Sequence, residues 1–175
     1  MIQIRQSVFE TNSSSTHAIS IMAYDKDKCN FVNDVCFNHT QEFGWEFEHY
    51  NDVVSKAGYL WIVICTMYSY LENEDKLIAA KDYILNTLRS VGITNVTFVQ
   101  PDYKYSDWNK KYYLCIDGYI DHCDLSGMVE EMLQDPEMLL SYLFDERSTV
   151  NTGNDNSDWD VEFVDNAKWM IYKGN

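Results

Sequence analysis

Residues 57–71, with the sequence AGYLWIVICTMYSYL, form the longest stretch of the chain without a charged side chain. A membrane-spanning helix needs about 20 predominantly apolar residues. This stretch has only 15, among them a glycine, a threonine, a serine and three tyrosines. A helix that is apolar nearly all round is buried on more than one side. We therefore predict a buried helix from about Asp52 to Leu71, capped by Asn51, which lies either inside one chain or at the seam of a dimer.

Three further helices are predicted downstream of this segment. Apolar residues at helical spacing run from about Glu74 to Val91, and Gly92 then suits the position just after the helix end. This apolar stripe consists of Leu77, Ala80, Ile84, Leu88 and Val91. Asp124 is a candidate cap for a helix over residues 125–134. Asp135-Pro136 opens a helix over residues 136–146, with proline at the first helical position.

Alternating apolar residues predict strands on both sides of the helical region. The strands expected near the N-terminus cover residues 2–9, 17–24, 29–38 and 42–50, and in the last of these Phe43, Trp45 and Phe47 share one face. Later strands cover residues 93–100 and 111–121, and a polar loop over 148–158 precedes a hairpin of residues 159–165 and 168–174. The pattern predicts a single α+β domain over residues 1–175, with a mainly antiparallel sheet and about four helices.

Negative charge is concentrated in one part of the chain. Residues 117–165 contain 14 acidic side chains and one basic side chain, Arg147, and so carry −13 of the total charge of −15. Such a field repels nucleic acid and attracts basic surfaces. The N-terminus lacks the basic segment and apolar run of a signal peptide. We therefore expect a cytoplasmic protein in which all five cysteines are reduced.

A run of hydroxyl side chains in residues 8–17, VFETNSSSTH, is the best candidate for a ligand site. As a loop over residues 10–17 between two strands, it can wrap a phosphate or carboxylate with hydroxyl and backbone N–H groups. His17 is a candidate base toward a neighbouring serine. The alternative is a turn held by its own side-chain-to-backbone hydrogen bonds. The candidate ligand-binding residues are Glu10, Asn12, Ser13, Ser14, Ser15 and His17.

Residues 4–21, IRQSVFETNSSSTHAISI, resemble an N-terminal motif of small, largely uncharacterised proteins of bacteriophages and mobile elements. The resemblance covers roughly the first twenty residues and brings no activity with it. It implies a phage-type origin, and therefore the cytoplasm of a host cell. So particular a string also strengthens the interest in the polar side chains of residues 10–17.

Three sets of possible metal ligands each lack a feature that the corresponding metal site needs. For zinc, Cys29, Cys36 and His39 are too widely spaced, and His122 and Cys123 are adjacent. Residues 154–165 resemble a calcium loop but have Trp159 where glycine is needed. Asp117, Asp121 and Asp124 are possible magnesium ligands, but few basic residues lie nearby to hold a nucleic acid. We expect no metal and no cofactor.

We expect a binding protein rather than an enzyme. The acidic 117–165 surface suits a basic host protein, such as a nuclease or another nucleic-acid-binding or defence protein, which it would inhibit or modulate. No direct contact with nucleic acid or membrane is expected, and a homodimer is compatible with the sequence. The candidate partner-binding residues are Glu130, Glu131, Glu137, Tyr142, Asp145, Glu146 and Trp159. The alternative is a phosphate- or nucleotide-binding protein or enzyme that uses the loop over residues 10–17.

Overall fold

The structure is a computed structural model that describes residues 15–44, 46–120, 125–154 and 163–173. This part of the chain forms four α-helices and ten strands. The helices are α1 Val53–Met67, α2 Glu74–Ser90, α3 Ser126–Met132 and α4 Pro136–Phe144. The strands are β1 Ser15–Ile21, β2 Asp34–Phe37, β3 Glu42–Phe43, β4 Glu48–Tyr50, β5 Asn95–Phe98, β6 Asp102–Ser106, β7 Lys111–Cys115, β8 Tyr119–Ile120, β9 Thr149–Asn154 and β10 Trp169–Lys173.

The main sheet is antiparallel and has the strand order β10-β1-β9-β4. Its second interior strand, β9, pairs with β1 on one side and with β4 on the other, so that Thr152 lies opposite both His17 and Glu48. The polar segment 148–158 was predicted to be a loop, and this prediction is wrong for residues 149–154. Pairing on both sides satisfies the backbone of β9, and the Thr152 hydroxyl donates to the Glu46 carbonyl at 2.8 Å.

Three strand pairs flank the main sheet. β2 pairs with β5 and β3 pairs with β8, both in parallel, whereas β6 and β7 form an antiparallel hairpin. Strand β6 was not predicted from the sequence. The predicted α+β class with a mainly antiparallel sheet and four helices is confirmed.

The uncharged stretch forms α1, as predicted, and every residue from 56 to 65 is buried within this one chain. The helix begins after Asp52, whose carboxylate accepts a hydrogen bond of 2.8 Å from the Ser55 N–H, so the cap is Asp52 and not Asn51. It ends at Met67, four residues earlier than predicted. The Trp61 indole N–H donates to the Val99 carbonyl at 2.8 Å and ties the helix to the residue after β5.

The other helices follow the predicted signals closely. Helix α2 buries Leu77, Ala80, Ile84 and Leu88, and Gly92 adopts a φ of +92° after the helix end. Pro136 occupies the first turn of α4, and the Asp135 side chain accepts hydrogen bonds from two backbone N–H groups there. Helix α3 begins at Ser126, and its predicted cap, Asp124, lies outside the described residues.

The predicted strands are shorter or broken in the structure. Strand β1 begins at Ser15 rather than 17, and the predicted strand 42–50 is divided into β3 and β4. Phe43 is buried and Phe47 is half exposed, so these two side chains do not share one covered face. Strand β10 pairs with β1. The predicted strand 2–9, Trp45 and most of the first arm of the predicted hairpin lie outside the described residues.

Candidate functional site

The described end of the hydroxyl-rich segment is part of a strand and not of a loop. Ser15, Thr16 and His17 belong to β1 and pair with Asn154, Gly153 and Thr152 of β9. All seven residues of β1 are buried, so Ser15 and His17 are not offered to an anion at the surface. Glu10, Asn12, Ser13 and Ser14 lie outside the described residues.

His17 lies in the interface between β1 and α1. It shares a hydrogen bond of 2.9 Å between Nδ1 and the Tyr59 hydroxyl, and its Nε2 has no hydrogen-bond partner among the described residues. Burial lowers the pKa of His17 to about 4, because the charged imidazolium is disfavoured away from water. A neutral, enclosed imidazole serves the packing of the sheet on α1 better than it serves proton transfer to a substrate.

Helices α3 and α4 expose some of the predicted partner-binding residues and bury others. Glu130, Glu131, Glu137 and Glu146 are exposed, in agreement with an acidic outer surface. Tyr142 is fully buried, and its hydroxyl donates to the Lys56 carbonyl at 3.0 Å, so it does not anchor a partner. Asp145 is also buried, so the prediction that it contacts a partner is wrong as well. Trp159 lies outside the described residues.

A buried ionic cluster explains the position of Asp145. The Arg147 guanidinium donates to both carboxylate oxygens of Asp145, at 2.9 and 2.6 Å. Lys56 of α1 is fully buried, and its ammonium donates at 3.0 Å to the carbonyls of Asp145 and of Ser148. This cluster fastens the turn between α4 and β9 to α1, which is a structural role.

The pKa values in this cluster reflect burial and its charge partners. Burial lowers the pKa of Lys56 to about 8, against the opposing effect of the Asp145 carboxylate. Burial alone would raise the pKa of Asp145, but hydrogen bonds from Arg147 outweigh it and lower the pKa. Burial, together with Asp145, raises the pKa of the Cys29 thiol to about 11, which makes this cysteine a weak nucleophile at neutral pH.

The described residues contain no group of three or more histidine, cysteine or acidic side chains that could hold a metal ion. Of the zinc candidates, Cys29 pairs with Asp145 through an isolated antiparallel β-bridge of the backbone. His39 lies beside Asp117, with 4.0 Å between its Nδ1 and the carboxylate. The partners His122, Cys123, Asp121 and Asp124 lie outside the described residues. None of the helices in the described ranges is long and apolar enough to span a membrane.

A surface cavity of about 290 Å³ carries the clearest binding chemistry, and we call it the glutamate cavity. Its lining residues are Glu42, Gly44, Glu46, Glu48, Tyr50, Tyr119 and Thr152. The three glutamates are exposed, and none of them forms an ion pair with any other described residue. Within the described part of the chain, the cavity therefore presents three unpaired carboxylates together with two aromatic side chains.

Two strand pairings assemble this cavity from distant parts of the chain. Parallel pairing places Glu42 of β3 opposite Tyr119 of β8. Antiparallel pairing places Glu48 of edge strand β4 opposite Thr152 of β9. A Cβ atom on Gly44 would lie 3.3 Å from the Tyr119 hydroxyl, so the absence of a side chain lets the tyrosine lie close against the backbone.

Tyr50 connects the cavity to the core and reports on its charge. Its ring packs edge-on against Phe43, with 5.0 Å between centroids, and Phe43 packs against Tyr59 at 4.9 Å. Burial and then the nearby Glu48 carboxylate raise the pKa of Tyr50. Tyr50 thus packs against the core through Phe43 and lies close enough to Glu48 for its pKa to respond to that carboxylate.

The cavity was not predicted from the sequence, because the strongest acidic signal lies in residues 117–165. A signal was present, since residues 29–55 contain five acidic side chains and no lysine or arginine. A larger cavity of about 480 Å³ has an apolar floor that includes Val63 and Met67, and the predicted residue Glu130 lies on its lining together with Lys76. The Glu130 carboxylate therefore shares its cavity with a lysine, whereas the glutamate cavity is lined by no lysine or arginine.

Comparison of the chain with protein-family models, with curated proteins and with solved structures finds no match in any of the three.

Proposed function

We propose that the protein acts by binding, and that the glutamate cavity accepts a cationic side chain of a basic partner protein. The observation that carries the proposal is a set of three carboxylates around one cavity that form no ion pair with any other described residue. Like charges at close range repel one another, and an arriving ammonium or guanidinium group relieves that repulsion.

The shape and lining of the cavity favour one long side chain over a nucleotide. Its volume of about 290 Å³ is at the lower limit of the usual range for small-molecule sites. Carboxylates would repel the phosphates of a nucleotide but form charge-assisted hydrogen bonds with arginine or lysine. The faces of Tyr50 and Tyr119 add a surface over which a cation is attracted by the ring electrons.

The partner class follows from electrostatic complementarity. Proteins that bind nucleic acid line their grooves with lysine and arginine, and an acidic surface is complementary to such a groove. The exposed Glu130, Glu131, Glu137 and Glu146 enlarge the negative field that would steer the encounter. A host nucleic-acid-binding or defence protein, inhibited or modulated by this chain, is therefore the partner we propose. The phage-type N-terminal motif supports that choice.

Binding of fluorescein-labelled octa-arginine tests the proposal. The variant Glu42→Gln/Glu46→Gln/Glu48→Gln should bind the peptide at least about 10-fold more weakly than the wild type, the equivalent of one charge-assisted contact. The variant Glu130→Gln/Glu131→Gln/Glu137→Gln removes the same charge elsewhere and should lose less than about 3-fold, since it changes only the long-range field. Equal losses in the two variants would show that net charge matters and the cavity does not.

A further inference from the structure

The hairpin of β6 and β7 reverses the charge pattern of the protein. Residues 102–115 contain three lysines and two aspartates, a net charge of +1 in a chain whose total is −15. The same segment carries Tyr105, Trp108 and Tyr112 at its surface. Tyrosine and tryptophan are enriched at protein interfaces relative to the rest of the surface.

The tip of the hairpin holds its aromatic residue out into solvent. Trp108 is 96% exposed, although tryptophan is highly buried on average. The turn beneath it is ordered by a hydrogen bond of 2.9 Å from the Lys110 N–H to the Ser106 carbonyl, and by one of 3.2 Å from the Lys111 N–H to the Asn109 side chain. An anchor residue presented on a preorganised turn loses little conformational entropy when it binds.

One lysine of the hairpin, Lys110, is available to an incoming acidic surface. Lys110 lies 3.6 Å from Asp107, and both side chains are largely exposed. Exposed ion pairs of this kind contribute little, so Lys110 can exchange its partner at low cost. Lys111, by contrast, is engaged by Glu72 at 2.9 Å and lies over the Tyr70 ring. Lys110 is therefore the cation best placed beside Trp108.

The glutamate cavity is complementary to this tip in both charge and aromatic character. Glu42, Glu46 and Glu48 supply the negative charge, and Tyr119, which is half exposed, is part of the lining. A lysine ammonium group fits among the carboxylates, while an indole packs on the exposed Tyr119 ring. Both surfaces belong to the same chain.

The two surfaces lie at opposite ends of α1. The cavity is lined by Tyr50, three residues before the helix begins, whereas the hairpin is attached just after the helix ends, where the Leu114 N–H donates to the Ser69 carbonyl at 2.7 Å. A helix of 15 residues is about 22 Å long. The attachment point of the hairpin and the cavity wall at Tyr50 are therefore separated by the length of this helix.

We propose that the hairpin tip of one copy docks into the glutamate cavity of a second copy, with Lys110 between the carboxylates and Trp108 against Tyr119. The inference rests on the proposed function, which assigns the cavity as a cation acceptor. The contact is heterologous, so it joins copies head to tail in a ring or an open chain. One hairpin tip buries a small area, so the association is weak and depends on concentration.

Sedimentation velocity across about 10 to 500 µM protein, with charge-reversed variants, tests this docking. The wild type should show a sedimentation coefficient that rises with concentration, whereas Lys110→Glu, Glu46→Lys and Trp108→Ala should each remain monomeric. Lys76→Glu makes the same charge change away from the tip and should behave as the wild type. An equimolar mixture of Lys110→Glu and Glu46→Lys should form a heterodimer, since Glu46→Lys keeps an intact hairpin tip and Lys110→Glu keeps an intact cavity.

Two results would overturn the proposed docking. One is a wild-type sedimentation coefficient that stays constant up to about 500 µM. The other is association of Lys110→Glu or Trp108→Ala as strong as that of the wild type. If octa-arginine still binds in either case, the proposed function stands and only self-association is wrong. Circular dichroism of each variant checks that its fold is intact.

Discussion

His17 of β1 and Tyr59 of α1 are joined by a hydrogen bond of 2.9 Å at a point where both residues are fully buried. The bond links the main sheet to the helix that forms its core. It also fixes the orientation of Tyr59, which packs edge-on against Phe43 at 4.9 Å, and Phe43 in turn packs against Tyr50 of the glutamate cavity. The cavity therefore depends on the packing of the core behind it.

Acid should destabilise the fold through His17. Its folded pKa of about 4 lies below the ordinary value of 6.5. The unfolded chain therefore binds a proton first, and stability is full above pH 6.5 and lost as the pH falls toward 4. Between pH 7 and pH 5 this loss should amount to about 2 kcal/mol. Urea unfolding at both pH values measures it, and the variant His17→Gln should lack that part of the pH dependence. An identical dependence in the variant would contradict the assignment.

Replacing Lys56 with methionine should destabilise the protein at neutral pH. The change leaves the buried carbonyls of Asp145 and Ser148 without their donor, at a cost of about 1–3 kcal/mol. The folded pKa of about 8 lies below the ordinary value of 10.5, so the wild type binds fewer protons when folded and gains stability as the pH rises from 8 toward 10.5. Denaturant titrations at pH 7.5 and 9.5 should therefore show that the stability of the wild type relative to Lys56→Met increases by about 2 kcal/mol over this range.

Alanine at position 118 should disrupt the cavity as well as the fold. A Cβ atom on Gly118 would overlap the backbone carbonyl of Gln41 and come within 2.7 Å of that of His39, so β8 must move away from β3. We expect a loss of about 3 kcal/mol or more in unfolding free energy, the scale of severe overpacking, together with weaker octa-arginine binding. The matched control is Gly127→Ala in α3, where nothing lies within 4 Å and a helix former should stabilise by about 0.5–1 kcal/mol. Similar melting temperatures for the two variants would refute the close approach.

Peptide binding at the glutamate cavity should weaken with salt. Its carboxylates are exposed, so ions screen their attraction for a cation, and the screening length falls from roughly 14 Å at 50 mM to about 4 Å at 500 mM salt. We expect the affinity for octa-arginine to fall at least about 10-fold over this range. An affinity that is insensitive to salt would assign the binding to the aromatic rings instead of the glutamates.

The helices were predictable because local signals determine them. The uncharged run at residues 57–71, the stripe from Leu77 to Leu88 and the proline at 136 each specify an element without reference to the rest of the chain. Strand β9 could not be recognised, since its threonine, asparagine and glycine residues are typical of loops. Only the partners on either side, β1 and β4, make that sequence a strand.

The candidate site was missed for a related reason. Glu42 and Tyr119 are far apart in sequence and meet through the parallel pairing of β3 with β8, two strands of two residues each. Strands this short leave almost no periodic signal. The burial of Tyr142 and Asp145 was equally hidden, because Lys56, which engages both residues, belongs to the distant helix α1.

The insertion of β9 between β1 and β4 has a consequence for synthesis on the ribosome. Ser20 pairs with Thr149, so β1 and β4 leave the ribosome long before the strand that joins them exists. At translation rates of roughly 5–20 residues per second, that delay is on the order of ten seconds. During this time the apolar α1 has no complete sheet to cover it. We therefore expect the pairing edges of β1 and β4 to stay open until β9 has been translated.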